Sequence, residues 1–183
     1  EDYVGHRLDA SCFISRQRAL AAERTACYLR ILHPKMTAQS HRIGPSGLDV
    51  SVVIPVCNER DNVLPLAREI HAAIEGRFRY ETIFVDDGST DGTAEAVRAA
   101  RRDGMPEIRL VHHSVRSGQS AAVATGVRAA RAPWIATLDG DGQNDPGDIP
   151  NLLDAARAAA SPRLRLVMGN RTTRRDTWLR RLS

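Results

Sequence analysis

The sequence predicts an α/β fold with a mostly parallel sheet flanked by helices. From residue 50 onward, short β-branched segments alternate with segments of helical length and helical apolar spacing. Polar loops that contain glycine separate these segments, and 42% of the 183 residues are hydrophobic, which is enough for a buried core. Because such sheets bind ligands at the carboxyl ends of their strands, the loops that follow the strands are the candidate functional regions.

The first βα unit begins with a strand over residues 50–56, "VSVVIPV", a short and largely β-branched run. A helix is predicted over 62–76, where apolar residues recur at helical spacing. Asp61 is the expected N-cap. Pro65 is expected in the first turn, where proline is tolerated. Gly76 suits the C-terminal end.

The same pattern continues to the end of the chain. Strands are predicted over 80–85, 107–113, 133–138 and 163–169, and helices over 93–104, 118–131 and 146–160. Crossovers between parallel strands are right-handed. The loops after all five strands therefore converge on one rim of the sheet.

The N-terminal quarter of the chain has a different character. Residues 1–48 lack a clear strand pattern and end in a polar linker that contains Gly and Pro. A helix over 15–32 is predicted from its alanine, leucine and arginine content. We expect residues 1–48 to be an arm and linker, with residues 1–35 of little functional weight, and residues 49–183 to form the functional domain.

Composition excludes several classes of protein. The three cysteines are far apart and not in metal-ligand spacing, which favours a reducing compartment over a disulfide framework or a zinc ribbon. No secretory signal and no apolar run of membrane-spanning length are seen. Basic residues are not interleaved with aromatics, so nucleic acid is not an expected partner. Walker A and G-x-G-x-x-G phosphate loops are absent from the sequence.

The loop "DGDGQ" after the fourth strand carries the densest acidic pattern. Asp139 and Asp141 are separated by Gly140, and loop glycines let a ligand approach the backbone closely. Hard oxygen ligands suit Mg²⁺ or Mn²⁺, to which Gln143 would add a carbonyl oxygen or orient a water. The alternative at this point is a solvated turn rich in Asp and Gly.

Two further loops carry polar side chains directly after strands. Asp86 and Asp87 end the second strand, where a carboxylate accepts hydrogen bonds from a base or a ribose hydroxyl. Asp87 is the expected ligand residue, and Asp91 the expected cap of the helix that follows. Asn58 and Glu59 follow the first strand and either contact a nucleoside or serve helix entry.

The segment after the third strand is less specific. "RSGQS", which begins at Arg116, is either a helix N-terminus that receives an anion or an ordinary glycine turn. His112 and His113 are adjacent in the preceding strand and face opposite sides, so they are interpreted as ordinary strand residues.

These motifs together resemble a known family. "SVVIPVCNERDNV", "FVDDGSTDGT", "RSGQSAAVATG", "LDGDGQNDP" and "MGNR" occur in the order and spacing of family 2 glycosyltransferases with the GT-A fold. The sequence is most similar to the polyprenyl-phosphate branch, which includes dolichyl-phosphate mannose synthases. The resemblance covers about residues 49–183.

The resemblance implies a metal-dependent, inverting sugar transfer from a GDP- or UDP-sugar. By position, Asp139, Asp141 and Gln143 match the metal motif, and Arg171 matches an arginine that faces phosphate. The positions that match the nucleotide-holding segments are Pro55, Cys57, Asn58, Glu59, Asp86, Asp87 and Gly140. Cys57 stands where the family usually has tyrosine.

The family also suggests an acceptor. A lipid phosphate is already an anionic nucleophile, and the basic stretch around Trp178 would lie on an anionic membrane surface, which places the protein in the cytoplasm at a membrane face. That stretch is alternatively a solvated basic loop. We also expect the family's acceptor-side segment to lie beyond Ser183, so the alternative function is a truncated module that binds nucleotide sugar without transfer. A nucleotidyltransferase would need a glycine-rich, basic loop after the first strand, which "VCNERDN" does not provide.

Overall fold

The computed structural model describes residues 30–32, 47–158 and 166–168. The strands in these ranges are β1 (Arg30–Leu32), β2 (Val50–Val56), β3 (Tyr80–Asp87), β4 (Ile108–His113), β5 (Trp134–Thr137) and β6 (Leu166–Met168). The helices are α1 (Arg60–Ile74), α2 (Thr93–Arg102), α3 (Gln119–Ala129) and α4 (Asp148–Ala158). None of these helices combines the length and the hydropathy that crossing a membrane requires.

The strands form one sheet in the order β4-β3-β2-β5-β1-β6. β2 pairs in parallel with both β3 and β5, and β3 pairs in parallel with β4. β1 is antiparallel to its two neighbours, β5 and β6, so β6 runs in the same direction as β5. The predicted α/β fold with a mostly parallel sheet is confirmed.

One predicted helix is wrong where the structure describes it. Residues 30–32 were expected to close a helix over 15–32, but they form β1, in which Leu32 pairs with Ile135 and with Leu166. Helix propensity is a weak local preference, and pairing between two strands overrides it. Residues 15–29 lie outside the described residues, and the domain boundary near Leu48 stays a prediction.

Helix α1 begins earlier than predicted. It starts at Arg60, so Asp61 lies in the first turn instead of capping it, and Pro65 lies inside the helix beyond that turn. The backbone N–H of Arg60 donates to the Asp91 carboxylate at 3.1 Å, so a side chain from a distant loop provides this end with an acceptor. Gly76 follows the helix with φ +75°, the left-handed conformation expected of a C-terminal glycine.

Alternate residues of β2 point to opposite faces of the sheet, as period-two geometry requires. On one face, Val52 and Ile54 are fully buried in a core shared with α1, α2 and α4. On the other face, Val53 packs in a smaller core with residues of β3 and α3. The sheet is therefore covered on both sides around the strands whose carboxyl ends form the rim.

Helix α3 approaches the sheet closely through its small residues. Ala122 is fully buried in the smaller core. A Cβ on Gly126 would collide with the Val53 side chain and lie 3.0 Å from Cγ2 of Val85. This contact leaves no room for a larger residue, and it fixes the helix whose N-terminus reaches the rim.

Candidate functional site

A cleft of about 350 Å³ opens where β2, β3 and β5 end. Loops after these strands and the N-terminus of α3 form its walls. The lining residues are Pro55, Val56, Cys57, Glu59, Asp87, Arg116, Gln119, Asp139, Gly140 and Asp141. The structure thus brings together residues from four loops that the sequence analysis placed on one rim.

Gly140 seats the acidic loop against the end of β2. A Cβ at this position would lie 2.7 Å from Cγ1 of Val56 and 2.8 Å from the carbonyl oxygen of Pro55, which is too close for any real side chain. The backbone at Gly140 is buried, while Asp139 and Asp141 on either side of it are exposed. The glycine therefore presents both carboxylates to the cleft.

Each of these carboxylates is held through one oxygen. Oδ1 of Asp139 accepts a 2.9 Å hydrogen bond from Nε2 of Gln119, and Oδ1 of Asp141 accepts a 3.0 Å bond from the backbone N–H of Gln143. Among the described residues, none donates a hydrogen bond to Oδ2 of Asp139 or to Oδ2 of Asp141. No cluster of three or more Asp, Glu, His or Cys side chains with metal-site geometry occurs in the described part of the chain.

This donor set fits one kind of metal ion. Two exposed carboxylate oxygens suit Mg²⁺ or Mn²⁺, which take their remaining ligands from water and from substrate phosphates. A fully protein-coordinated site for zinc would need about four protein ligands. Asp139 and Asp141 therefore fit a hard divalent cation that is shared with a phosphate-bearing ligand.

Asp87 is the most heavily hydrogen-bonded side chain of the cleft. Its Oδ1 accepts from the backbone N–H of Ser117 at 2.8 Å and pairs with Nδ1 of His113 at 2.8 Å, and its Oδ2 accepts from the N–H of Gly118 at 2.7 Å. Burial by itself would raise the pKa of Asp87, but the hydrogen bonds from His113, Ser117 and Gly118 outweigh it and lower the pKa below its usual value. Asp87 is thus an ionised acceptor at neutral pH.

In the turn before α3, the backbone N–H groups that could receive an anion are bound by a carboxylate of the protein itself. The sequence left open whether "RSGQS" receives a ligand anion, and the structure shows that the N–H groups of Ser117 and Gly118 bind the Asp87 carboxylate. A Cβ on Gly88 would lie 2.8 Å from the backbone nitrogen of Arg116, so the two loops touch directly. Arg116 lines the cleft beside them.

Three residues assigned to the site by sequence do not line the cleft. Asn58, in the left-handed conformation with φ +57°, accepts the N–H of Thr90 at 2.9 Å and so joins two loops. Asp86 is fully buried on the opposite side of β3, where it bonds His112 and the N–H of Ser89. Gln143 is exposed, and its backbone supports Asp141. These three positions bond to other parts of the protein, and their assignment to the site stays a prediction.

Asp91 supports the start of α2, as expected, although Gly92 and not Asp91 occupies the N-cap position. Its Oδ1 accepts from the N–H of Thr93 at 2.9 Å and from the Thr93 hydroxyl at 2.5 Å, and its Oδ2 accepts from the N–H of Arg60. The hydroxyl of Thr93 is the main cause of the lowered pKa of Asp91. One carboxylate thereby joins the starts of α1 and α2, which holds the loop after β2 in place.

Two residues of the cleft network were not singled out as site residues by the sequence. Gln119 bonds Asp139, and His113 bonds Asp87. The register of the sheet contains a signal for the histidine: in the parallel pair of β3 and β4, Asp86 lies opposite His112 and Asp87 opposite His113. The adjacent "DD" and "HH" pairs, each closing a strand, hint at this pairing.

Some site predictions fall outside the described residues. Arg171, the expected phosphate-facing arginine, and Trp178, in the basic stretch expected to contact a membrane, both lie beyond residue 168. Their roles remain predictions.

Comparison with known proteins identifies relatives of most of the chain. The family model described as Glycosyl transferase family 2 matches residues 51–181. A dodecaprenyl-phosphate galacturonate synthase of Rhizobium johnstonii is 40% identical over 131 residues, which cover 70% of this chain and 38% of that protein. An undecaprenyl-phosphate 4-deoxy-4-formamido-L-arabinose transferase of Edwardsiella ictaluri is 38% identical over 135 residues, 72% of this chain and 40% of the relative. The chain thus spans about two fifths of the length of these relatives.

A solved structure has the same fold. A mannosyltransferase of Pyrobaculum calidifontis, in complex with GDP-Man and Mn²⁺, superposes with a TM-score of 0.54 at 29% identity. The match covers 63% of this chain and 33% of the mannosyltransferase. The neighbour supports the GT-A architecture inferred from the motifs.

Proposed function

Because the chain belongs to glycosyl transferase family 2, we propose that its cleft binds a nucleotide-diphosphate sugar together with Mg²⁺ or Mn²⁺ for transfer of the sugar to a polyprenyl phosphate. The observation that carries the proposal is the cleft itself. It joins a hydrogen-bond acceptor from β3, Asp87, to a carboxylate pair after β5, Asp139 and Asp141. A nucleoside diphosphate has the matching ends, a base or ribose with donors and a charged diphosphate.

The nucleoside end would use the acceptors near β2 and β3. A carboxylate offers about four lone-pair positions, and Asp87 uses three of them within the protein, which leaves one on Oδ2. That position suits a base N–H or a ribose hydroxyl. Glu59 and Cys57 line the same cleft, and Cys57 is a half-buried free thiol that offers no aromatic face for stacking on a base.

The diphosphate end requires a cation for electrostatic reasons. The charged side chains that line the cleft are Glu59, Asp87, Asp139, Asp141 and Arg116. Four carboxylates against one guanidinium would repel a diphosphate. A divalent ion held by Asp139 and Asp141 would neutralise the charge on the departing nucleoside diphosphate. Gln119 would hold Asp139 in place through Oδ1, while Oδ2 of Asp139 faces the ligand.

The acceptor proposal rests on the relatives and on the chemistry of phosphates. Both bacterial relatives are named for dodecaprenyl- or undecaprenyl-phosphate. A phosphate oxygen is an anionic nucleophile, so attack with inversion at the sugar needs no strong general base in this cleft. Arg171 would bind the acceptor or donor phosphate bidentately, and the basic stretch that follows would contact the cytoplasmic face of a membrane.

A thermal-shift panel tests the donor site. UDP, GDP, CDP and ADP are each added with Mn²⁺ or with EDTA to the chain and to Asp141→Asn. Saturation at 100 times Kd stabilises the native state by about 2.7 kcal/mol, which corresponds to a Tm rise of about 5–10 °C for a chain of this size. We expect that rise for one nucleotide with Mn²⁺, and none with EDTA or in the variant.

The matched control is Asp145→Asn. Asp145 belongs to the same loop but bonds the N–H of Gly147 and does not line the cleft, so its variant should keep the nucleotide-dependent shift. A cooperative melt that no nucleotide alters would refute the donor site. Transfer of the sugar from the matching donor to undecaprenyl phosphate then separates a transferase from the alternative, a module that binds the donor without transfer.

A further inference from the structure

Two histidine–aspartate pairs lie side by side across β3 and β4. Nδ1 of His112 is 3.0 Å from Oδ2 of Asp86, and Nδ1 of His113 is 2.8 Å from Oδ1 of Asp87. The pairs have the same chemistry and consecutive register positions, and they face opposite sides of the sheet. Only Asp87 lines the cleft.

His113 is the more constrained of the two histidines. Its side chain is 17% exposed, against 46% for His112. Its second ring nitrogen, Nε2, lies 3.0 Å from the hydroxyl of Thr125 on α3. The His113 ring is therefore held between Asp87 on a strand and Thr125 on a helix. For His112, the described part of the chain gives only the contact with Asp86.

The direction of this hydrogen-bond chain follows from its two ends. Nη2 of Arg128 donates to the Thr125 hydroxyl oxygen at 3.3 Å, and an ionised Asp87 only accepts. In a neutral ring, the Thr125 hydroxyl then donates to Nε2 of His113, and Nδ1–H donates to Asp87. The Nδ1–H tautomer is the one that satisfies both contacts of a neutral ring.

Asp87 transmits this constraint to the cleft wall. It holds the N–H groups of Ser117 and Gly118, the turn between β4 and α3. Arg116 and Gln119 flank that turn, and both residues line the cleft. A rotation of the Asp87 carboxylate would release the turn and displace both of them.

We propose that His113 is a positioning residue of the nucleotide site: clamped by Thr125, it orients the Asp87 carboxylate and thereby fixes the turn that brings Arg116 and Gln119 into the cleft. Its effect on ligand binding rests on the proposed function. Its effect on the turn does not, because the hydrogen bonds involved are all within the protein.

Amide hydrogen exchange tests the positioning without any ligand. His113→Ala should speed exchange at the N–H groups of Ser117 and Gly118 by about tenfold or more, since their acceptor becomes free to rotate. His113→Asn should restore most of the protection, because its amide nitrogen can donate from about the place of ring Nδ1. His112→Ala is the matched control, and it should leave both amides unchanged. Equal exchange in His113→Ala and His112→Ala would overturn the proposal.

Calorimetric titration with UDP, GDP, CDP and ADP, each in the presence of Mn²⁺, tests the consequence for binding. We expect His113→Ala to raise the Kd of whichever nucleotide the parent chain binds by about tenfold, His113→Asn by less than about threefold, and His112→Ala not at all. Thr125→Val should weaken binding and Thr125→Ser should not, because only serine keeps the hydroxyl.

The two proposals fail in different ways. A parent chain that binds none of UDP, GDP, CDP and ADP refutes the proposed function, while the exchange rates of Ser117 and Gly118 still decide whether His113 positions the turn. If the parent binds a nucleotide and a folded His113→Ala variant binds it with the same Kd, the role of His113 in the nucleotide site is overturned, whichever nucleotide it is. Mn²⁺ affinity measured by EPR without nucleotide should fall by at most about threefold in His113→Ala, the effect expected from loss of the Gln119 bond to Asp139. Asp141→Asn should weaken Mn²⁺ binding by more than that, because it removes a carboxylate of the metal site.

Discussion

Replacing Gly140 with alanine should damage the metal site through sterics alone. The new Cβ would lie 2.7 Å from Cγ1 of Val56 and 2.8 Å from the carbonyl oxygen of Pro55, whereas ordinary contacts begin at 3.4 Å. The valine methyl can rotate away, but the carbonyl belongs to the backbone of a buried strand. The loop must therefore move by about 0.6 Å, the difference between 3.4 and 2.8 Å, and it carries Asp139 and Asp141 with it.

Two magnitudes follow from that displacement. Overpacking of a tight site costs about 1–3 kcal/mol, which lowers the Tm by about 2–12 °C for a chain of this length. A site needs its ligating groups within about 0.5 Å of their productive positions. Mn²⁺ affinity should accordingly fall by about tenfold, or about 1.4 kcal/mol.

Thermal unfolding and EPR titration of Mn²⁺ measure the two effects on the same preparation. Gly142→Asn is the control, since a Cβ there meets nothing within 4 Å and its φ of +70° is one that asparagine tolerates. That variant should keep the parent Tm within about 2 °C, because surface substitutions usually change stability by less than about 0.5 kcal/mol. A Gly140→Ala variant with parental Tm and parental Mn²⁺ affinity would refute the close packing of the loop against β2.

Two further predictions concern partners of the site and of the sheet. Gln119→Ala should weaken Mn²⁺ binding about threefold in the same EPR titration, as expected for loss of one hydrogen bond worth about 0.5–1.5 kcal/mol, while Ser120→Ala should leave it unchanged; equal affinities would show that the bond to Asp139 does not matter. Glu81 is buried beneath Arg109 and Arg131, and although burial raises its pKa, hydrogen bonds from Ser51 and the two arginines lower it below 4.5. As pH falls, the Glu81 carboxylate is protonated in the unfolded state at a higher pH than in the folded state, because its folded pKa is the lower one. The stabilisation by Glu81 is therefore complete at neutral pH and is lost as pH falls through the folded pKa. Urea unfolding should therefore show a larger stability gap between the parent and Glu81→Gln at pH 7 than at pH 3, and a gap that does not shrink would contradict this reasoning.

Local patterns predicted the central elements closely. β2 has the bounds predicted for residues 50–56, and the other strands and helices from 80 to 158 differ by a few residues at their ends. Apolar periodicity and glycine positions determine such elements because they act within one segment. The N-terminal end of α1 was missed because its acceptor, Asp91, lies 31 positions along the chain from Arg60.

Seven of the ten residues that line the cleft were candidate site residues in the sequence. The loops that meet at the rim were identified because strands that run parallel end on the same side. The sequence singled out Asp87 as the expected ligand residue, and Asp87 lines the cleft. It also placed Asp86 among the nucleotide-holding positions, whereas Asp86 faces away from the cleft. Adjacent residues in a strand point to opposite sides, and only the packing of α3 on one face decides which side forms the cleft.

The sequence by itself determined the α/β alternation, the acidic loop after β5 and the family motifs, because each of these depends only on residues that are close together in the chain. Only the tertiary structure decided that β1 pairs between β5 and β6, that Asn58 serves loop packing, and that His113 and Gln119 support the cleft. These outcomes depend on strand register and on hydrogen bonds between residues 12 to 32 positions apart. Such bonds form only after the sheet and its helices have brought distant loops together.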